Sequence, residues 1–337
     1  MDQTAVILVN LGTPDSPKLP DVRRYLFQFL NDRRVIDLPW IFQKALVNLI
    51  IVPFRAPKST KLYKRLWSDK GSPLLYYSQQ VASEIQNRLG NNYVIFNAMR
   101  YGNPDLKIIL RQVEGQIFKK IIILPLFPQY ASATTGSVFE LIMKQVSSWQ
   151  TFPDIRMVSS FHDHPLFIRA FADQAAKYDT SSFDHVIFSF HGLPLRQINK
   201  LHPGKDCLTC ECQIKTIAEG KLCYKAACYE TARLIAAEIG LSSKEYSVTF
   251  QSRLSKNWMS PFTDKTLIKK AKAGTKKILI FAPSFVADCL ETTVEIEYEY
   301  DHLFKIHGGE QLQMVESLNG NKVWIDSLQQ MIMELNK

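Results

Sequence analysis

The sequence predicts an α/β fold built as two doubly wound halves. Short apolar runs of strand length alternate with segments of helical period along the whole chain. Several runs are apolar on both faces, as in Ile121-Ile122-Ile123-Leu124, which is what strands buried inside a parallel sheet require. The chain has 337 residues, about two domains at roughly 150 residues each, and eight strand candidates divide more naturally into two sheets than one.

The elements follow in order. Residues 5–11 form the first strand, which runs into Asn10-Leu11-Gly12-Thr13-Pro14, and residues 21–30 carry a helical period. Residues 38–54 are the longest apolar region. Gln43, Lys44 and Asn48 interrupt it, so it falls short of the roughly 20 apolar residues that span a bilayer. A helix at 74–89 leads to a strand at 93–99, which ends in Arg100-Tyr101-Gly102-Asn103-Pro104. A helix at 104–118 precedes the strand at 120–127, whose tip is Pro125-Leu126-Phe127-Pro128-Gln129-Tyr130. Helix 136–149, strand 155–161 and helix 165–178 complete the first half and open the second. Strand 185–190 ends in His191-Gly192-Leu193-Pro194, and a cysteine-rich stretch separates it from a helix at 229–239. Strand 246–251, helix 264–273, strand 277–282, helix 291–306, a weaker strand at 311–315 and a helix at 323–335 finish the chain.

Composition narrows the function. Apolar residues make up 46% and charged residues 22%, which excludes disordered, collagen-like and low-complexity proteins. With only 14 glycines and no internal period of 20–50 residues, repeats built on glycine-dependent turns are not expected. The formal charge of +9 suits acidic small molecules or anionic lipid. Lys and Arg are scattered, without interleaved aromatics, so nucleic acid is not an expected partner. Met1-Asp2-Gln3-Thr4 runs straight into the first strand without a secretory signal, and the expected location is the cytoplasm.

In open parallel sheets, ligands bind outside the carboxyl ends of the strands. The tips named above are rich in aromatics and proline, and none is a glycine-rich phosphate loop, which argues against a nucleotide enzyme. Such walls suit a large, flat, apolar ligand held by a few polar anchors. His191 stands at a strand end, where an imidazole can take protons or bind a metal near neutral pH. Glu291, Glu295 and Glu299 repeat every four residues, with Asp288 one turn ahead. Their mutual repulsion is either the cost of a solvated acidic face or the mark of a cation path. Cys207, Cys210 and Cys212, with Cys223 and Cys228, form two groups in one short stretch. In a reducing compartment that crowding reads as metal ligation, by zinc or an iron–sulfur cluster. Cys289 stands alone.

Taken together, these segments resemble ferrochelatase. The matching stretches are V-N-L-G-T-P (9–14), G-S-P-L (71–74), M-R-Y-G-N-P (99–104), L-P-L-F-P-Q-Y (124–130), T-T-G-S (134–137), S-F-H-G-L-P (189–194), T-F-Q-S-R (249–253), F-V-A-D-C-L-E-T (285–292) and E-S-L-N-G (316–320). They occur in the family's order over nearly the whole chain. The resemblance implies two Rossmann-like, chelatase-type domains with a porphyrin cleft between them. These would be 1–165, with an apolar lip at about 38–54, and 166–337, with a cysteine-rich insertion at about 203–228. The last helix is expected to pack back on the first domain.

The implied reaction is insertion of Fe²⁺ into protoporphyrin IX to form protohaem, the last step of haem biosynthesis. Its alternatives are a cobalt or coproporphyrin iron chelatase, or a two-lobed haem- or metal-binding protein. On this resemblance His191 and Glu291 are the catalytic residues and hold the substrate iron, with Asp288 and Glu295 on the metal path. Leu11, Arg100, Tyr101, Trp258 and Phe285 line the porphyrin, and Arg100 is the best candidate to meet a propionate. Four of Cys207, Cys210, Cys212, Cys223 and Cys228 would bind a [2Fe–2S] cluster, as in bacterial members with an internal cysteine segment. The lip would touch the inner face of the membrane peripherally. The chain departs from the family at Cys289, where some members carry histidine.

Overall fold

The computed structural model describes residues 3–201, 206–214 and 222–337, and the chain divides into two compact units. The first comprises the chain up to Phe127 with Ala131–Ser159 and Ile325–Lys337. The second comprises Pro128–Tyr130 and Ser160–Trp324.

The first unit carries strands β1 (Thr4–Thr13), β2 (Tyr93–Gly102), β3 (Lys120–Pro125) and β4 (Asp154–Met157) in the order β2-β1-β3-β4, all parallel. Ala5 to Val9 are fully buried, because β1 is paired on both edges and covered on both faces. Helices Leu106–Glu114 and Ser137–Val146 bring Leu110, Val113, Val138 and Ile142 against Ile7, Val9, Ile121 and Ile123. Helix Pro73–Leu89 packs along β1 and β2.

The second unit repeats this plan with β5 (His185–His191), β6 (Tyr246–Gln251), β7 (Lys277–Phe281) and β8 (Gln311–Met314) in the order β6-β5-β7-β8, again parallel. Its core joins Ile187, Ile278 and Ile280 to Leu267, Ile296 and Phe304 from the covering helices. In each sheet the chain adds a strand on one side of its first strand and then crosses to the other. The switch points therefore lie between β1 and β3 and between β5 and β7, where open sheets bind ligands.

All eight expected strands form, within a few residues at their ends. Helix 291–306 takes a different course. Leu290–Tyr300 is a π-helix, and only Asp301–Ile306 is α-helical. The region at 38–54 is helical from Trp40 on, as Trp40–Ala45, the π-helical Leu46–Ile51 and the start of Val52–Leu66. Pro53 and Pro57 hid that last helix from a reading by period. Pro53 stands where the π-helical turn passes into the α-helix, and Pro57 lies inside that helix. The helix expected at 229–239 begins five residues earlier and spans Tyr224–Glu238. Cys223 therefore caps it and Cys228 lies inside it, rather than in a loop reaching residue 228. Part of the expected insertion, residues 203–205 and 215–221, lies outside the described residues.

Candidate active site

In the second unit β5 delivers His191 to the carboxyl edge of the sheet, at the switch point. Gly192 follows because nothing larger fits. A Cβ there would stand 2.8 Å from the Gln251 carbonyl oxygen, to which the Gly192 N–H donates. The His191 ring lies 6.4 Å from Trp258 and 6.4 Å from Phe285, at 53° and 68°, so two aromatic rings flank the imidazole. Its own carbonyl accepts from the Tyr224 hydroxyl at 2.8 Å.

Gln251, at the end of β6, is the strand partner of His191 and is buried. Its amide oxygen accepts from Ser189 Oγ, and its Nε2 donates to the Glu291 carbonyl at 3.0 Å and to the Glu295 carboxylate at 3.1 Å. The start of the π-helix is thereby fixed to the sheet edge that carries His191. Glu291 is half-buried there, with its carboxylate against the Cys289 thiol, while Glu299 is exposed. Burial first, then the Glu291 charge, holds the Cys289 thiol well above its usual range, so it is a neutral cap of this helix.

The two remaining acidic residues are occupied. Glu295 accepts from Gln251 Nε2, Ser252 N, Ser252 Oγ and the Tyr300 hydroxyl, which uses both lone-pair regions of both oxygens. Ser252 adopts φ +60° to present its N–H, a left-handed conformation rare for serine. Asp288 exchanges hydrogen bonds with the Asn319 side chain, 2.9 Å from its N–H and 2.8 Å to Oδ2. Its Oδ1 is buried without a partner. Asp288 and Glu295 thus serve as anchors of the segments that flank Glu291. Glu297, which the sequence reading passed over, is pushed up to about 7, by burial of its head and then by the Asp288 and Glu316 carboxylates. The residue as a whole is exposed, so only part of that effect bears on stability.

In the first unit Leu11 lies half-buried at the end of β1. Next to it Gly12, at φ +120°, leaves room for β2, since a Cβ would sit 1.7 Å from the Tyr101 carbonyl oxygen. Arg100 stacks over the Tyr101 ring at 4.6 Å, and its guanidinium donates to Asp32 at 2.6 Å and to Ser137 Oγ at 2.7 Å. The Tyr101 hydroxyl and Ser137 Oγ donate to the same Asp32 oxygen, at 2.9 and 2.6 Å. Burial, then the Asp32 charge, raises the Tyr101 phenol far beyond its usual range. Arg100 is therefore already neutralised by a carboxylate whose side chain is only 8% exposed. Asp32 was not singled out in the sequence. Ser137 had been, within T-T-G-S, and the acid in N-D-R-R beside two arginines was the available signal for its partner.

In the region at 38–54 the inward face is mixed, with Val47 and Val52 buried beside polar side chains. Gln43 is fully buried, while Lys44 and Asn48 reach Asn31 at 2.9 and 2.8 Å. Trp40, Ile41, Phe42, Leu49, Ile50 and Phe54 face solvent, each more than half exposed. The three polar interruptions therefore anchor the segment, and its apolar side is free for a partner. Among the described residues no helix is long and apolar enough to cross a membrane.

The five cysteines gather on and before the start of helix Tyr224–Glu238. Four are buried, and Cys210 is half-buried. Burial pushes Cys207 up to about 11 and Cys212 up to about 12, and the buried Lys225 ammonium opposes both shifts. Lys225 Nζ donates to the Cys207 carbonyl at 2.7 Å. The donor chemistry is that of a thiolate centre, yet among the described residues no three His, Cys, Asp or Glu side chains stand in an arrangement that could hold a metal ion. The same holds for His191 and the acidic residues near it.

The model of the family described as Ferrochelatase matches residues 3–335. The ferrochelatase of Legionella pneumophila (strain Lens) is 40% identical over 330 residues, covering 98% of each chain. That of Coxiella burnetii (strain Dugway 5J108-111) is 38% identical over 338 residues, covering 98% of this chain and 93% of the relative. Among solved structures, SirB from Bacillus subtilis with Fe³⁺ superposes with a TM-score of 0.56 at 11% identity, covering 98% of this chain and 95% of that one. At that identity the likeness concerns the fold alone. The chain belongs to the ferrochelatase family, enzymes of haem synthesis that insert a metal into a porphyrin.

Proposed function

We propose that the protein inserts Fe²⁺ into protoporphyrin IX to form protohaem, with His191 and Glu291 as the reacting pair. The observation that carries this reading is the imidazole of His191 at the switch point of the second sheet, between the Trp258 and Phe285 rings. Insertion replaces two pyrrole N–H protons with one Fe²⁺ and releases two protons. His191, half-buried at the sheet edge, accepts a pyrrole proton at a ring nitrogen. Glu291, joined to the same sheet edge through Gln251, takes that proton onward or holds the incoming iron. Apolar contacts with Trp258 and Phe285, the rings beside His191, hold the macrocycle in the bent form that presents its nitrogens, a distortion sustained by binding away from the reacting atoms. In the first unit, half-buried Leu11 and Arg100, the latter neutralised by Asp32, are the proposed porphyrin contacts, while Tyr101, only 2% exposed, supports Arg100 from beneath.

Four thiolates from Cys207, Cys210, Cys212, Cys223 and Cys228 are proposed to bind a [2Fe–2S] cluster, with the buried Lys225 ammonium as its counter-charge. When bound, the cluster would order the segment; no step of metal insertion uses it, because the reaction has no net redox change. The solvent-facing apolar side of 38–54 supports a peripheral contact with the inner membrane face from the cytoplasm, through which porphyrin would enter and leave. The deciding experiment incubates purified protein with Fe²⁺ and either protoporphyrin or coproporphyrin, following loss of free-porphyrin fluorescence. Turnover of protoporphyrin is expected. Turnover of coproporphyrin alone, or with Co²⁺ but not Fe²⁺, would move the assignment to another tetrapyrrole chelatase. Tight binding without turnover would make it a haem-binding protein.

A further inference from the structure

Three segments of the second unit meet at the Tyr224 hydroxyl. It donates to the main-chain carbonyl of His191 at 2.8 Å, which uses its one proton. Ser284 Oγ, 3.1 Å away, is then the donor to the phenol oxygen. The Cys228 thiol lies against the same phenol, one turn along the helix. Tyr224 and Cys228 are buried, so no water competes for these bonds. Ser284 precedes Phe285, one of the two rings beside His191. Tyr224 follows Cys223 and precedes Lys225, so it belongs to the cysteine-bearing helix start. The hydroxyl therefore pins the end of β5 and the loop after β7 to that helix start.

We infer that Tyr224 is a positioning residue for His191 and joins the cysteine segment to the reaction centre. This inference rests on His191 being the reacting imidazole. Without the hydroxyl, the His191 carbonyl loses its buried donor and the β5 tip can turn. The imidazole and the Phe285 ring then lose their common reference. A disturbance at Cys228 reaches His191 through the same phenol.

The test measures kcat and KM for porphyrin with Fe²⁺, together with Tm, for Tyr224→Phe, Ser284→Ala, Cys228→Ala and the doubles containing Tyr224→Phe. Tyr224→Phe is expected to lower kcat about five-fold, the worth of one hydrogen bond, with KM within about two-fold. Ser284→Ala and Cys228→Ala should each lower kcat alone and have no further effect once Tyr224 is phenylalanine. A purely structural role would lower Tm while the fold-changes multiplied independently, and that result overturns the inference. Wild-type kcat in Tyr224→Phe overturns it equally. Should Cys228→Ala fail to fold, the Tyr224 and Ser284 pair decides. His191→Ala separates the two levels. If it is inactive while Tyr224→Phe is unaffected, only the positioning role falls; if it turns over normally, the reading of the site falls and takes this inference with it.

Discussion

The side-chain amide of Gln251 donates to the main-chain carbonyl of Glu291 at 3.0 Å, while Gln251 itself pairs in register with His191 across β5 and β6. The imidazole and the start of the acidic helix are thus parts of one hydrogen-bonded edge. Their separation is set by a buried amide rather than by loop conformation.

The four acceptor contacts of Glu295 separate its role from that of Glu291. Glu295→Ala strands the Ser252 and Gln251 donors at a partly buried site, and a loss of about 2–3 kcal/mol in unfolding free energy is expected. Glu291→Gln should leave stability nearly unchanged and reduce turnover far more than Glu299→Gln, whose side chain is exposed. Denaturant unfolding and steady-state rates on the three variants check this. Equal rates in Glu291→Gln and Glu299→Gln would reduce the acidic stripe to a solvated face.

Asp32 holds Arg100, Tyr101 and Ser137 with one oxygen. Asp32→Leu leaves the Arg100 guanidinium, 17% exposed, without its counter-charge, and should cost about 3–5 kcal/mol. The double substitution Asp32→Leu with Arg100→Leu should recover much of that loss. A double-mutant cycle with no recovery would mean that Asp32 matters for packing alone.

The strands were legible because buried parallel strands are apolar on both faces, as in Ala5 to Val9 and Ile121 to Leu124. Tip residues such as His191 stood out because each follows such a run. The π-helix at Leu290–Tyr300 was not legible, since its glutamates at four-residue spacing fit an α-helix equally well. Asp32 was hidden because a pairing across 68 residues, to Arg100, leaves no local pattern. At 38–54 the interrupting polar residues read as breaks in an apolar run, although Gln43, Lys44 and Asn48 share the inward face with Val47 and Val52. Hydrophobic patterning assumes that apolar residues point inward, and here only Val47 and Val52 do so while six large apolar side chains face out.

Glu297 gives the fold a pH dependence of known sign. Its carboxyl is raised to about 7, by burial and then by Asp288 and Glu316, so the folded state prefers the protonated form. That contribution is complete below the ordinary carboxylate value near 4.5 and is lost as pH rises through about 7. Glu297→Gln should therefore be more stable than the parent at pH 8, by less than about 1 kcal/mol given its exposure, and equally stable at pH 4.5. Burial lowers His162 and His185 in both proteins alike, so the difference between the two curves isolates Glu297. A gap of the same size at both pH values would show that its titration is not linked to folding.

The cysteine segment yields the last prediction. Buried neutral thiols beside one buried ammonium form an arrangement that becomes favourable once the thiols are ionised and share a cation. Purified protein should therefore be coloured, with visible absorption that bleaches on reduction or acidification, and should hold two irons and two sulfides per chain beyond any substrate iron. Cys223→Ser and Cys228→Ser should each remove the colour, and Cys228→Ser should also lower Tm, because its side chain is fully buried within helix Tyr224–Glu238. Lys225→Met removes the counter-charge and leaves every thiol in place, so it should weaken cluster retention while the empty protein still folds. A colourless protein with one zinc per chain, made under iron-replete anaerobic conditions, would sink the cluster assignment and leave the chelatase reading intact. Full colour in Lys225→Met would sink only the role given to the ammonium.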